Sequence, residues 1–345
     1  MIFFDQPNEL RWQAKYRFMR ADGTYAFIMD KAYAIRNEKG DVIRMIGALS
    51  DISRNRLEDL KKEVITEFSH IFNRNIDLKL ALERTTNLLM AYGGYSISEI
   101  WLTNSSKTEL NLYAKSANEE GDVFYASNTI NTLKIGEGLA GMVWEQQQIV
   151  FWNYKNENES FIRKNAALKA NLKNLMGVPL IRNDEFIGVW ICAESQEDSN
   201  TFDTTKKIGL EIAASLASEI NRKQLEEGLS HIFQLAPDII CTLDCKGNFK
   251  KINTAGCELL EYSEEELLSM SYNQIEYSVN NGIISDSAQV FYDQGKTFRT
   301  ENRYITKSGN ILWLDWNCRA SFEEGLIYAV AKDITEKKDS SKFVR

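Results

Sequence analysis

The stretch Glu301-Asn-Arg-Tyr-Ile-Thr-Lys-Ser-Gly-Asn-Ile-Leu-Trp-Leu-Asp-Trp-Asn317 decides how the rest of the chain is read. It is an aromatic-rich strand, a turn carrying Gly309, and a second strand. A further turn, Glu323-Glu324-Gly325, leads into a third strand that ends in Asp333-Ile334-Thr335, with charged helical residues after it. The same plan occurs near the other end. Lys15-Tyr-Arg-Phe-Met-Arg-Ala-Asp-Gly-Thr-Tyr-Ala-Phe-Ile-Met-Asp-Lys-Ala-Tyr33 is again strand, turn at Gly23, strand. Its second turn is Asn37-Glu38-Lys39-Gly40-Asp41, and its third strand ends in Asp51-Ile52-Ser53 before another charged helical run. Two copies of one unit flank a different middle segment.

Apolar residues Leu57, Leu60, Val64, Phe68 and Ile71 recur at gaps of three and four and predict a helix over 54–72. Leu78, Ala81, Leu82, Thr85, Leu88 and Leu89 predict a second. Strands follow at 96–102, where Ile97, Glu99 and Trp101 alternate with Ser98, Ile100 and Leu102, and at 109–115. Gly136–Trp144 is a glycine-rich entry into a short helix, 149–152 a strand, and 161–171 helical. Strands 175–181 and 186–193 form a hairpin across Asn183-Asp184. The middle segment is therefore α+β with an antiparallel sheet. A long helix is predicted over 205–235, with one stripe at Ile208, Ile212, Leu216 and Ile220 and an offset one at Leu225, Leu229 and Ile232. Beyond it come strands at 238–244 and 248–252 and short helices, one opened by a Ser263–Glu266 capping box. The helical stretch closes over Gln289–Gly295 before the three-strand unit.

The chain is 345 residues long, enough for two or three domains, with 43% hydrophobic and 26% charged residues. Lys plus Arg (41) against Asp plus Glu (49) leaves a formal charge of −8, which disfavours non-specific nucleic-acid binding. No run of apolar residues is long enough to span a bilayer, and Asp5 and Asn8 interrupt the only start resembling a signal peptide. A cytoplasmic location is expected. Cys192, Cys241, Cys245, Cys257 and Cys318 are an odd set expected to be reduced core thiols; the Cys241/Cys245 pair lacks the partners of a zinc site. His70 and His231, the only histidines, both sit in Ser-His-Ile-Phe, so no metal centre or hydrolytic triad is expected.

The order of strands and helices, with Asn253-Thr-Ala-Gly-Cys-Glu-Leu-Leu-Glu-Tyr-Ser-Glu-Glu-Glu-Leu267 and Asn302–Gly309, resembles a PAS domain. The Asp333-Ile-Thr335 end is similar to the motif by which PAS domains hand over to a following helix. Residues 9–53 resemble only the second half of another PAS domain. Residues 62–222 resemble a GAF domain through Ser98–Leu102, Gly136–Gly141 and Gly177–Leu180. Such PAS–GAF–PAS strings resemble the input regions of bacterial multi-domain sensor histidine kinases.

The resemblance implies an α+β fold with a five-stranded antiparallel PAS sheet and an antiparallel GAF sheet with flanking helices, joined by long signalling helices. The divisions are a half PAS domain at 1–53, a connecting helix at 54–73, GAF at 62–222, a connecting helix at 205–235, PAS at 226–338 and a tail at 339–345. In a PAS sheet the last strand lies centrally beside the first, so strand 42–49 would have an open hydrophobic edge. Met1 is accordingly expected to be a truncation or a misplaced gene start.

Asp51, Asp333 and Thr335 are the expected signal-relay residues. Candidate pocket residues are Trp101, Trp144, Phe151 and Trp190 in the GAF segment, and Cys241, Phe291, Trp313 and Trp316 in the last PAS, with ordinary core packing as the competing reading. No catalytic residue is expected. Neither histidine has the family's phosphoacceptor context, and the ATP-binding glycine motifs have no counterpart. Flavin, haem and bilin are not expected: Ser269–Ile275 lacks the flavin-reactive cysteine run, no histidine faces a PAS pocket, and no Cys-His pair is present. Phe202-Asp203 is followed by Thr204, where cyclic-nucleotide-binding relatives have Glu. The expected role is sensing a small ligand or partner and relaying it through coiled-coil helices of a parallel homodimer to a kinase or other output domain beyond residue 345. The alternatives are a ligand-free dimerisation or spacer module, or the input of a diguanylate cyclase or transcription regulator.

Overall fold

The computed structural model describes residues 11–21, 23, 25–127, 129–155, 161–196, 200–277, 297–321 and 323–342. They divide into two compact units, one up to Gln224 and one from Leu225. In the first, β1 (Arg11–Met19), β2 (Tyr25–Arg36) and β3 (Val42–Asp51) form an antiparallel sheet in chain order. Gly23 and Gly40 take φ of +82° and +86° in its turns, where glycine carries no Cβ penalty. β3 pairs with β2, and among the described residues no strand covers its other side. Ile43, Ile46 and Leu49 stand exposed there, the open hydrophobic edge that the sequence implied.

α1 (Ser53–Phe72) leaves this sheet and buries Val64, Phe68, Ile71 and Phe72. They pack against α2 (Leu78–Gly93) and α6 (Asn200–Leu235), which buries the predicted stripe Ile208, Ile212, Leu216 and Ile220 in the same core. α1 and α6 run parallel. Lys61 pairs with Glu211 at 2.6 Å, Ser69 donates to Glu219 at 3.1 Å, and Arg222 donates to Asn73 at 3.1 Å, so the partners advance together along both helices.

Under these helices lies a six-stranded antiparallel sheet of β4 (Ile97–Thr103), β5 (Leu110–Ala117), β6 (Thr132–Leu133), β7 (Val150–Asn153), β8 (Asn174–Arg182) and β9 (Glu185–Glu194), in the order β6-β5-β4-β9-β8-β7. α3 (Glu119–Ala126), α4 (Gly138–Gln146) and α5 (Lys164–Lys169) belong to the core on its opposite face. The alternation read in β4 holds: Ile100 and Leu102 face α1, α2 and α6, while Ile97 and Trp101 face the short helices. α3 and β6 were not read from sequence. α3 does carry a cap signal, since Asn118 accepts from Gly121 N at 3.0 Å ahead of an acidic first turn. Gly121 weakens the helical pattern, and glycine is required there because a Cβ would lie 2.4 Å from Ser96 O.

In the second unit β10 (Ile239–Asp244), β11 (Phe249–Ile252), β12 (Thr297–Ile305), β13 (Ile311–Ser321) and β14 (Leu326–Asp333) form a five-stranded antiparallel sheet, order β11-β10-β14-β13-β12. The last strand lies beside the first, as expected. α7 (Thr254–Leu260) and α8 (Glu264–Leu268) follow β11, and the Ser263–Glu266 capping box closes with both of its bonds. Asn253, fully buried, accepts from Ile240 N and Gly256 N and donates to Asp238 O, tying the start of β10 to α7. α9 (Thr335–Lys342) follows β14. Gln289–Gly295 lies outside the described residues. No described helix is long and apolar enough to cross a membrane. Cys192, Cys241 and Cys318 are buried and Cys257 half-buried, but Cys245 is exposed because it sits in the turn after β10 rather than in a core.

Candidate functional site

The candidate aromatics of the middle segment do not converge. β4 and β9 pair Ile100 with Trp190 and Trp101 with Val189, so Trp101 and Trp190 project from opposite faces of one sheet. Trp101 is fully buried, its Nε1 donating to Glu99 at 2.8 Å, and Glu99 holds Arg163 in a two-bond ion pair at 2.7 and 2.8 Å. Burial opposes charge on both partners, but each is the other's counter-ion, so Glu99 is held below its ordinary pKa and Arg163 above. Trp144 stacks on Phe186 beside this core. Trp190 instead donates to Ser98 Oγ at 3.1 Å and meets Tyr95 edge-on. Phe151 is exposed, with the Lys206 ammonium 4.3 Å from its ring centre.

The PAS candidates separate likewise. Trp316 and Cys241 are buried in the core, whereas Trp313 lies three residues from Trp316 and so projects from the other face, beneath Arg303 and Lys338. Phe291 lies outside the described residues. Trp316, Tyr304, Phe298 and Cys318 line a cavity of about 50 Å³. That is far below the roughly 300 Å³ at which small-molecule pockets begin. Burial pushes the Cys318 thiol up to about 12, so it is not a ready nucleophile.

A larger concavity went unread in the sequence. A cleft of about 480 Å³ opens in the first unit where β2, the start of α1, the end of α2 and the start of α6 meet. Leu57, Val64, Ile208 and Trp190 supply apolar lining; among the described residues Arg20, Arg56 and Lys207 are its charged ones. Tyr95 closes one side, its hydroxyl bonded to Thr205. Gly93 makes this possible, because a Cβ there would lie 2.0 Å from the Tyr95 ring. The lining comes from five elements, β2, α1, α2, β9 and α6, so no local spacing could have marked it.

The expected relay residues form two matching corners. Ile52 N donates to Phe27 O at 2.8 Å, Phe27 N to Ser53 Oγ at 2.8 Å, and Ser53 N to Asp51 Oδ1 at 2.9 Å. In the second unit Ile334 N donates to Trp313 O at 2.8 Å, Trp313 N to Thr335 Oγ1 at 2.9 Å, and Thr335 N to Asp333 Oδ1 at 2.8 Å. A cation one turn into each helix then covers the same aromatic: Arg56 over Phe27 at 4.0 Å, Lys338 over Trp313 at 5.1 Å. Ser53, which was not among the expected relay residues, stands where Thr335 does.

A family model described as a PAS domain matches residues 237–336, and one described as a PAS fold matches residues 6–49. A search of curated proteins gives no match. Among solved structures, a domain of a sensory box sensor histidine kinase/response regulator from Geobacter sulfurreducens is similar at 23% identity, over 32% of this chain and 94% of that one, with a TM-score of 0.29. A PAS domain of an HTR-like protein from Haloarcula marismortui is 22% identical over 34% and 98%, with a TM-score of 0.30. The GAF domain of an Acinetobacter phosphoenolpyruvate-protein phosphotransferase is 18% identical over 49% and 98%, with a TM-score of 0.39. The chain is thus similar to a PAS domain over residues 237–336 and to part of a PAS fold over residues 6–49, with the six-stranded antiparallel sheet and its helices lying between the two matches.

Proposed function

We propose that this chain is the input region of a two-component sensor histidine kinase, converting a change in domain packing into a displacement of helices. The observation that carries this reading is the duplicated corner. In both PAS-type units, a strand backbone N–H and an aspartate together fix the first residue of the departing helix. α1 is held at its start in this way and lies parallel to α6, which contains the boundary between the two units. A stimulus that favours one packing of the first sheet would bias α1, and the α1–α6 cross-links would pass that bias along α6.

α6 also supports the homodimer. Its second stripe, Leu225, Leu229 and Ile232, is 58–69% exposed, and Leu235 continues it at 82%. Such spacing suits a two-helix seam, and burying each side chain contributes about 1.5–3 kcal/mol. The stripe of α1, in contrast, is used within its own unit. Sedimentation of the full chain is expected to show a dimer at micromolar concentration, and Leu229→Glu a monomer with unchanged circular dichroism. A wild-type monomer at that concentration would contradict the dimeric relay.

A further inference from the structure

We propose that the cleft between β2, α1 and α6 is a binding site for a small amphipathic organic anion, a molecule with one acidic group on an aromatic or aliphatic body. Its volume of about 480 Å³ lies within the range of small-molecule sites. Its walls divide by chemistry. Leu57, Val64, Ile208 and Trp190 offer an apolar face from three elements that are already fixed by the core beneath them. Among the described residues the charged lining groups are all cationic. Arg20 is neutralised by Asp51, but Arg56 stacks on Phe27, and neither Arg56 nor Lys207 shows a carboxylate partner among the described residues. A neutral apolar ligand would leave those two charges unanswered, and a cation would meet repulsion. An anion anchored between Arg56 on α1 and Lys207 on α6 would bridge the first turn of α1 to a point about two turns into α6.

The regulatory consequence rests on the helix-relay reading; the binding does not. Charge-matched probes separate them. The full chain is titrated with 1-naphthaleneacetate and with its neutral isostere 1-naphthaleneacetamide, followed by calorimetry and by tryptophan fluorescence, since Trp190 lines the cleft. The acid is expected to bind at least tenfold more tightly than the amide. Arg56→Gln combined with Lys207→Gln is expected to remove that preference while leaving the circular dichroism unchanged. Equal binding of the two probes, a preference that survives the double substitution, or no binding of the acid up to millimolar concentration would each overturn the site. Preferential binding without altered hydrogen exchange along α6 would support the site and count against the relay.

Discussion

The backbone N–H of Trp313 donates to Thr335 Oγ1 at 2.9 Å, so the hydroxyl of the first residue of α9 completes the hydrogen bonding of β13, the strand paired with the β14 that leads into the helix. Phe27 and Ser53 repeat the relationship at 2.8 Å at the start of α1. Each helix is therefore oriented by its sheet rather than merely following it. Thr335→Val and Ser53→Ala leave that N–H without its acceptor. Each is expected to cost about 1 kcal/mol and to raise exchange of the Trp313 or Phe27 amide about fivefold by hydrogen-exchange mass spectrometry. Unchanged exchange would show that the clamp holds nothing.

Asp51 gives the first corner a pH response. Hydrogen bonds from the Ser53 side chain, the Ser53 backbone and then Arg20 bring its pKa down from 3.8 to about 2. Since the folded value is depressed, the stabilisation it supplies is complete above the unfolded pKa and disappears as pH falls through about 2. Protection at the start of α1 is expected to stay level from neutral pH to about 4 and to decline below it. In Asp51→Asn the decline is absent. A carboxyl titration of Asp51 by NMR with its midpoint near the ordinary aspartate value would refute this.

The Glu99–Arg163 pair is a structural hazard as well as a link. Arg163→Met strands a carboxylate that is fully buried, so the first unit is expected to lose about 3–5 kcal/mol in urea unfolding. Replacing both partners by apolar residues should cost clearly less than the sum of the single changes. Additive losses would mean that the two charges do not depend on each other.

Two glycines should respond in opposite directions. A Cβ at Gly188 would lie 2.0 Å from Trp101 O, where β9 crosses β4, so Gly188→Ala is expected to destabilise by about 1–3 kcal/mol. Gly228 lies within α6 with open space where its Cβ would be, so Gly228→Ala is expected to stabilise by about 0.5–1 kcal/mol. Thermal unfolding of the two variants distinguishes them.

The repeated strand–turn–strand units were legible because their information is local: alternating aromatics, with glycine at positive-φ turns such as Gly23 and Gly309. Periodicity likewise placed α1 and the first stripe of α6. It could not show that these two stripes meet each other, because that is a long-range fact. Nor could it show that Trp101 and Trp190 point apart, since the face of each depends on the pairing of β4 with β9. The cleft was invisible for the same reason. Arg56 looks like one more charge on a helix until Phe27 from another element arrives beneath it.

The claim on which the rest depends is that α1 and α6 respond together to the first sheet. Hydrogen exchange along α6 in a chain carrying both Asp51→Ala and Ser53→Ala tests it directly. Faster exchange is expected between Glu211 and Arg222, where α6 is cross-linked to α1, as well as in α1 itself. Faster exchange confined to α1, with α6 unaffected, would contradict the account.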